Sequence, residues 1–212
     1  MRIHDISMDV GPGMLHYGKR PEVYPVEQIA TGHAANVSRW LIGSHTGTHI
    51  DSQLHFVEGG QTVDRLPLEE LVGPARVVDC TRSDEPIGRA AVEAAGLDGA
   101  TRVLFKTSNS TRALLDVPKL DPTYVGVAPD AARALVDAGV RFVGVDYITI
   151  ETYDNSVDWP VHHILCDAGV TILEGADLRG VDDGTYFMCC LPVRLVGSEA
   201  APARTILIEG LA

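Results

Sequence analysis

The chain has 212 residues, of which 45% are hydrophobic and 22% charged, and a formal charge of −12 at pH 7. That length suits one domain able to bury roughly 70% of its unfolded surface, and the acidic balance argues against nucleic acid or an anionic membrane surface as a partner. No apolar run is long enough to span a membrane, and the N-terminal Met1–Ser7 has no apolar signal core. The four cysteines (Cys80, Cys166, Cys189 and Cys190) form no C-x-x-C pair, as expected of buried free thiols in a reducing cytoplasm.

In chain order, residues 2–6 read as a strand. Residues 11–34 contain Pro12, Pro21 and Pro25 among several glycines and show little periodicity, which predicts a long loop, functional or mobile. His16, Tyr17, Tyr24 and His33 lie in it, either as surface aromatic packing or as the wall of a substrate pocket. Asn36–Ile42 reads as a strand leading into the densest motif of the chain. From Ser44 to His55, three of the chain's eight histidines and one aspartate fall within twelve residues. Imidazole and carboxylate are the ligands that borderline divalent metals accept. Gly47 and the flanking threonines disfavour a helix. On a straight strand His45 and His49 would stand roughly 13 Å apart, too far to share an ion bound at about 2.1 Å. The chain must turn or bulge near Gly47, where the missing Cβ permits unusual backbone angles. Asp51 follows with two oxygens, and His55 trails by four more residues.

Pro67–Val72 reads as a short helix closed by Gly73, Ala75–Cys80 as a buried strand and residues 86–97 as a helix. Arg102–Lys106 is a strand ending in the polar Thr107–Ser110, either a set of donors aimed at a ligand or a plain turn. Pro118–Pro122 is a loop, Pro129–Ala138 a helix closed by Gly139, and Arg141–Val145 a buried strand leading to Asp146. Helices alternating with apolar strands indicate a layered α/β domain. Pro160 suits the first turn of a helix ended by Gly169, with Val161, Ile164, Leu165 and Ala168 as its apolar stripe. At 100° per residue His162 lies roughly 110° from the centre of that stripe and His163 about 150°, so His162 is nearer the buried face. In the strand Val170–Glu174, Val170, Ile172 and Glu174 share one face; if the first two are buried, the carboxylate is as well, and it then needs a partner or a metal. His4 and His33 read as structural or exposed.

The run His45-Thr-Gly-Thr-His49-Ile-Asp51-Ser-Gln-Leu-His55 resembles the His-x-Gly-Thr-His-x-Asp-x-x-x-His signature of the cyclase family, which includes bacterial kynurenine formamidases (arylformamidases) and isatin hydrolases. The resemblance extends over most of the chain. It takes in Asp5-Ile6-Ser7, Phe56–Gly60, Leu66–Gly73, Lys106–Asn109, Gly144–Tyr147, and a histidine twelve residues before a glutamate, His162 and Glu174. Two departures stand out: Gln53 replaces the usual formamidase proline, and Gly18-Lys19-Arg20-Pro21 stands where relatives often have Pro-Gly-Asp-Pro.

The resemblance implies one α/β domain over residues 1–212, a mixed sheet with flanking helices, assembled as a homodimer or homotetramer. It implies a site with one or two divalent ions, Zn²⁺ or Mn²⁺, both suited to mixed nitrogen and oxygen ligands. His45, His49 and Asp51 would hold the first ion, Asp51 and Glu174 would bridge, and His162 would complete the second. Such ions lower the pKa of a bound water to near 7 and polarise a carbonyl. His55 would then be the general base and acid, and Tyr17 and Gln53 are candidate substrate contacts. The implied reaction is hydrolysis of an amide or cyclic amide of a small molecule, an aryl formamide or an isatin-like lactam, in the cytoplasm. The alternatives are ring closure or lactone hydrolysis at the same site, and a non-catalytic homologue that retains the metal.

Overall fold

The computed structural model describes residues 1–211. Among the described residues there are ten strands: β1 (Ile3–Asp5), β2 (Glu22–Glu27), β3 (Val37–Leu41), β4 (His49–Asp51), β5 (Val72–Asp79), β6 (Arg102–Lys106), β7 (Phe142–Val145), β8 (Thr171–Glu174), β9 (Gly184–Pro192) and β10 (Ala200–Ile208). The helices are α1 (Leu68–Leu71), α2 (Arg89–Ala94), α3 (Ser108–Thr111), α4 (Pro129–Asp137) and α5 (Pro160–Asp167). All strands but β2 and β3 belong to one sheet, ordered β1-β10-β4-β8-β7-β6-β5-β9. Because β9 also pairs with β10, the sheet closes on itself, and β1 lies along the far end of β10. The pairs β5–β6, β6–β7 and β7–β8 are parallel and the rest antiparallel.

The parallel strands are near-continuous apolar runs because both of their faces are covered. Successive side chains point to opposite faces, so Leu104, Ile50 and Leu173 fill the barrel interior with Met188, Cys190 and Leu207. Val103, Phe105, Val143, Val145 and Ile172 face outward against Val92, Leu135, Val161 and Leu165 of the helices. The interior is narrow at Gly144, where a Cβ would lie 2.4 Å from a Leu104 methyl. The sites described below sit on the outer, helix-covered face.

The expected α/β domain with a mixed sheet and flanking helices is present, with the added feature that the sheet is closed. Several local expectations change. Residues 11–34 are not loop throughout: Glu22–Glu27 is β2, paired antiparallel with β3 as an exposed hairpin. Pro25 is tolerated because β2 is an edge strand, with a register shift between Pro25 and Glu27. The helix expected over 86–97 is shorter, Arg89–Ala94, because Ile87 bridges to Val127 instead. The Thr107–Ser110 stretch is neither a plain turn nor a ligand loop: Thr107 caps α3, and its donors serve Asp146. No described helix is long and apolar enough to cross a membrane.

Candidate metal centre

The turn that brings the first histidines together is made at Gly47, whose φ is +66°. Thr48 fixes it, donating its hydroxyl to Gly175 O at 2.5 Å and accepting from Met8 N at 2.8 Å. Gly175 lets this turn rest on the end of β8, since a Cβ there would lie 2.8 Å from Gly47 O. The rings of His45 and His49 consequently lie 5.0 Å apart. On β4, Ile50 points into the barrel, so His49 and Asp51 point outward. The β4–β8 register sets His49 directly opposite Glu174. From the helix side α5 brings in His162, which is buried while His163 is exposed, as the helical spacing predicts. The turn Gln53–His55 returns His55 to the same place.

These groups converge. His45 Nδ1 is 2.9 Å from Asp51 Oδ1, His49 Nε2 is 3.5 Å from Asp51 Oδ1 and 3.4 Å from Glu174 Oε2, and His162 Nε2 is 3.3 Å from Glu174 Oε1 and 3.9 Å from Asp51 Oδ2. Two sets of donor atoms lie within 4.8 Å of one another: His45, Asp51 and His55, and His49, Asp51 and Glu174. His55 thus stands at ligand distance beside His45, not apart from the donor cluster, and Asp51 is common to both sets. The orientation of the donors is informative. His49 Nδ1 lies 2.9 Å from Gly47 O, which can only accept, so the hydrogen sits on Nδ1 and Nε2 is left facing the carboxylates. Close as the atoms are, their angles are not those of hydrogen bonds: His49 Nε2 and both Asp51 oxygens are buried without a hydrogen-bond partner. Buried polar groups are normally paired. Lone pairs from imidazole and carboxylate aimed at one small space fit a divalent cation.

Without an ion the cluster is an array of buried ion pairs. Burial alone would lower the pKa of His49, but Asp51 and Glu174 outweigh it and push the ring up to about 9. His162 behaves likewise; against burial, Glu151 and Glu174 hold it at about 10. Burial would raise Glu174, yet the adjacent His162 and His49 rings keep it well below the usual carboxylate range. His55 goes the other way: burial, helped by the neighbouring His45 and His162 and opposed by Asp51, lowers its pKa, so it is neutral at pH 7.

The cluster opens into a cavity of about 470 Å³ lined by His45, His55, His162 and Glu174 at one end and by Tyr17, Phe56, Trp159 and Ile148 along its walls. Tyr17 and Trp159 meet edge to face at 5.8 Å, and Phe56 stacks on His162 at 4.8 Å. Tyr17 therefore stands where a substrate contact was expected. Gln53 does not line this cavity; its Oε1 accepts from Gln61 N at 3.2 Å, making it part of the turn that delivers His55. His16 lines the cavity, His33 is exposed, and His4 pairs with Glu209 at 2.7 Å.

Three residues near the site were not anticipated. Trp159, a wall of the cavity, has a left-handed φ of +51° just before α5. Glu199 lies 3.4 Å from His45 Nε2 and accepts from Ser44 Oγ at 2.6 Å. Glu151 contacts His162 at 3.2 Å. Only Glu151 had a sequence signal, a carboxylate directly after the mostly apolar Tyr147-Ile148-Thr149-Ile150.

The Cyclase family model matches residues 4–152. The kynurenine formamidase of Salinibacter ruber is 38% identical over 217 residues, covering 98% of this chain and 97% of that protein. Cyclase-like protein 2 of Arabidopsis thaliana is 36% identical over 219 residues, covering 98% and 79%. A solved structure described as a potential metal-dependent hydrolase with cyclase activity is 38% identical, with a TM-score of 0.82 over 97% of this chain and 96% of that one. An isatin hydrolase bound to thioisatinate shares the fold, at a TM-score of 0.81 and 18% identity over 97% and 91%.

Proposed function

The chain belongs to the cyclase family, and from that premise we propose that it is a metal-dependent hydrolase cleaving an amide or cyclic amide of a small molecule, with an aryl formamide as the favoured substrate. The observation that carries this reading is the set of buried donors without partners, His49 Nε2 and both Asp51 oxygens, packed against His45, His162 and Glu174, which line an aromatic-walled cavity. His45, His49, Asp51, His162 and Glu174 would hold one or two ions, Zn²⁺ or Mn²⁺. A divalent ion so held supplies a Lewis acid for a carbonyl and acidifies a water.

The remaining steps belong to the chain's own side chains. Phe56, Trp159 and Tyr17 offer edges and faces to an aryl ring, which accounts for a preference for aromatic amides. His55 faces the same cavity with a neutral ring at pH 7. It accepts a proton from the attacking water and returns it to the departing nitrogen. Kynurenine formamidase relatives at 38% and 34% identity support the formamide, and the fold shared with isatin hydrolases keeps a lactam in view. A second reading, ring closure or lactone hydrolysis, is supported by the cyclase activity ascribed to a 38% identical structure.

We propose further that the protein acts in the cytoplasm as a homodimer or homotetramer. The hairpin of β2 and β3 supports assembly. Val23, Tyr24, Val26, Val37, Trp40 and Leu41 are exposed on it, and a two-stranded hairpin standing alone is marginal in water. The charge of −12 favours a small molecule over nucleic acid or an anionic membrane as ligand. The test of activity is turnover by Zn²⁺- and Mn²⁺-loaded protein on aryl formamides, isatin and aryl lactones. Turnover of aryl formamides above the others is expected. Lactone hydrolysis without amide cleavage would replace this reading with the second, and no turnover of any member would refute the hydrolase reading.

A further inference from the structure

His162 is held by more than its place on α5. That helix begins at Pro160, and the residue before it, Trp159, has no side-chain cap for the first free N–H groups. The capping role passes to Glu151, eleven positions before His162 and fully buried. Its Oε1 accepts from Val161 N at 2.7 Å and from His162 N at 2.9 Å, and it lies 3.2 Å from His162 Nδ1. A carboxylate at a helix N-terminus is favoured by the dipole. Glu151 Oε1 already accepts from two amides, so the hydrogen of a neutral His162 ring facing it sits on Nδ1, and Nε2 is turned to Glu174 and Asp51.

The ring has little freedom left, with Phe56 stacked on it at 4.8 Å and Trp159 edge-on at 5.5 Å. The segment that carries Glu151 is itself fixed. Gly126 packs so closely that a Cβ would lie 2.4 Å from Glu151 O. One residue earlier, Ile150 N donates to Glu174 Oε1 at 2.7 Å. A single strap, Ile148–Glu151, thus holds two of the converging side chains, Glu174 by an amide and His162 by a carboxylate.

We propose that Glu151 is a positioning residue for the metal centre: its negative charge against His162 Nδ1 holds that ring's orientation and tautomer and raises its basicity as a ligand, and thereby sets how tightly the site holds a divalent ion. This rests on reading the cluster as a metal centre. Carboxylate partners of metal-ligating histidines act this way in general, and losing one typically costs 10–100-fold in metal affinity.

The experiment uses Glu151→Gln, whose side-chain carbonyl can still accept from Val161 N and His162 N, so the helix cap survives while the charge is lost. Zn²⁺ and Mn²⁺ affinities are measured by chelator competition for the wild type, E151Q, H162A and the double variant, alongside metal-free melting temperatures. E151Q is expected to lose about 10–100-fold in affinity with little change in metal-free melting. In the H162A background the same substitution should change affinity hardly at all, because its effect runs through that ring. Wild-type affinity in E151Q, or an equal loss with and without His162, overturns the proposal and leaves the metal centre standing. A wild type that takes up neither ion refutes the metal centre itself. Nitrogen NMR of the loaded wild type requires no variant: a proton on Nδ1 with Nε2 as ligand is expected, and metal on Nδ1 would overturn the assignment.

Discussion

Two aspartates, Asp51 and Asp146, are equally buried on the same molecule and live in opposite surroundings. Asp146 is closed. It accepts from Thr107 N at 2.8 Å, Thr107 Oγ1 at 2.7 Å, Ser110 N at 3.1 Å and Ser110 Oγ at 2.6 Å, with Asn109 Nδ2 at 3.4 Å. Those donors come from one short helix, α3, and its cap, so this carboxylate ties the end of β6 to the end of β7. Asp51 is open. Four histidines and a glutamate approach it, and neither of its oxygens has a hydrogen-bond partner. A buried charge is tolerated only when something compensates it. For Asp146 the chain supplies that compensation; for Asp51 the proposed divalent ion would. Burial and residue type are the same, and only the direction of the surrounding donors separates a satisfied carboxylate from one left without partners.

Replacing each aspartate by alanine should break the comparison in opposite ways. Asp51→Ala is expected to abolish nearly all turnover and to cost less metal-free stability than Asp146→Ala, since it strands no hydrogen-bond donor and removes one of two carboxylates beside His49. Asp146→Ala strands several buried donors and should cost roughly 3 kcal/mol or more. Urea unfolding of both metal-free variants reads this directly, and equal destabilisation would erase the distinction.

His55 sharpens the boundary of the open site. It lies at ligand distance from His45 and Asp51, yet its lowered pKa suits proton transfer. His55→Ala should keep its metal and lose about 10²–10⁴-fold in turnover. Loss of the metal along with the rate would make His55 a ligand.

The smallest expected effect is on pH dependence. His49 and His162 stand at about 9 and about 10 in the metal-free chain, above the ordinary 6.5. Folding therefore binds protons, and the stability this provides is complete below pH 6.5 and lost as pH rises through those values. Glu174, held low, contributes above its ordinary 4.5 and loses that contribution as pH falls through its depressed value. Metal-free protein should melt at lower temperature at pH 10 than at pH 7. Bound metal displaces the histidine protons, so metal affinity should rise over the same range. A metal-free melting temperature that is flat between those values would show that the histidines are not so coupled.

Much of the open site was legible because its ligands are dense in sequence or periodic. His45, His49 and Asp51 fall on one turn and one strand, and the helical and strand periods placed His162 and Glu174 on buried faces. The closed site was not. Thr107–Ser110 reads equally well as a turn, and nothing in the spacing says that its donors meet a carboxylate on the next strand. Glu151 was missed for the same reason, since its bond to His162 depends on how the strap after β7 passes the start of α5. The hairpin of β2 and β3 was hidden by Pro25, which an edge strand accepts. Barrel closure depends on β9, whose pairing with both β5 and β10 is a property of the whole sheet.

The most direct measurement is a count of ions per chain by native mass spectrometry, titrating metal-free wild type and Asp51→Ala with Zn²⁺ and with Mn²⁺. If the partnerless oxygens of Asp51 hold a cation, the wild type takes up one or two ions at micromolar metal and the variant takes up none. Equal uptake by the two chains, or none by the wild type, would contradict it.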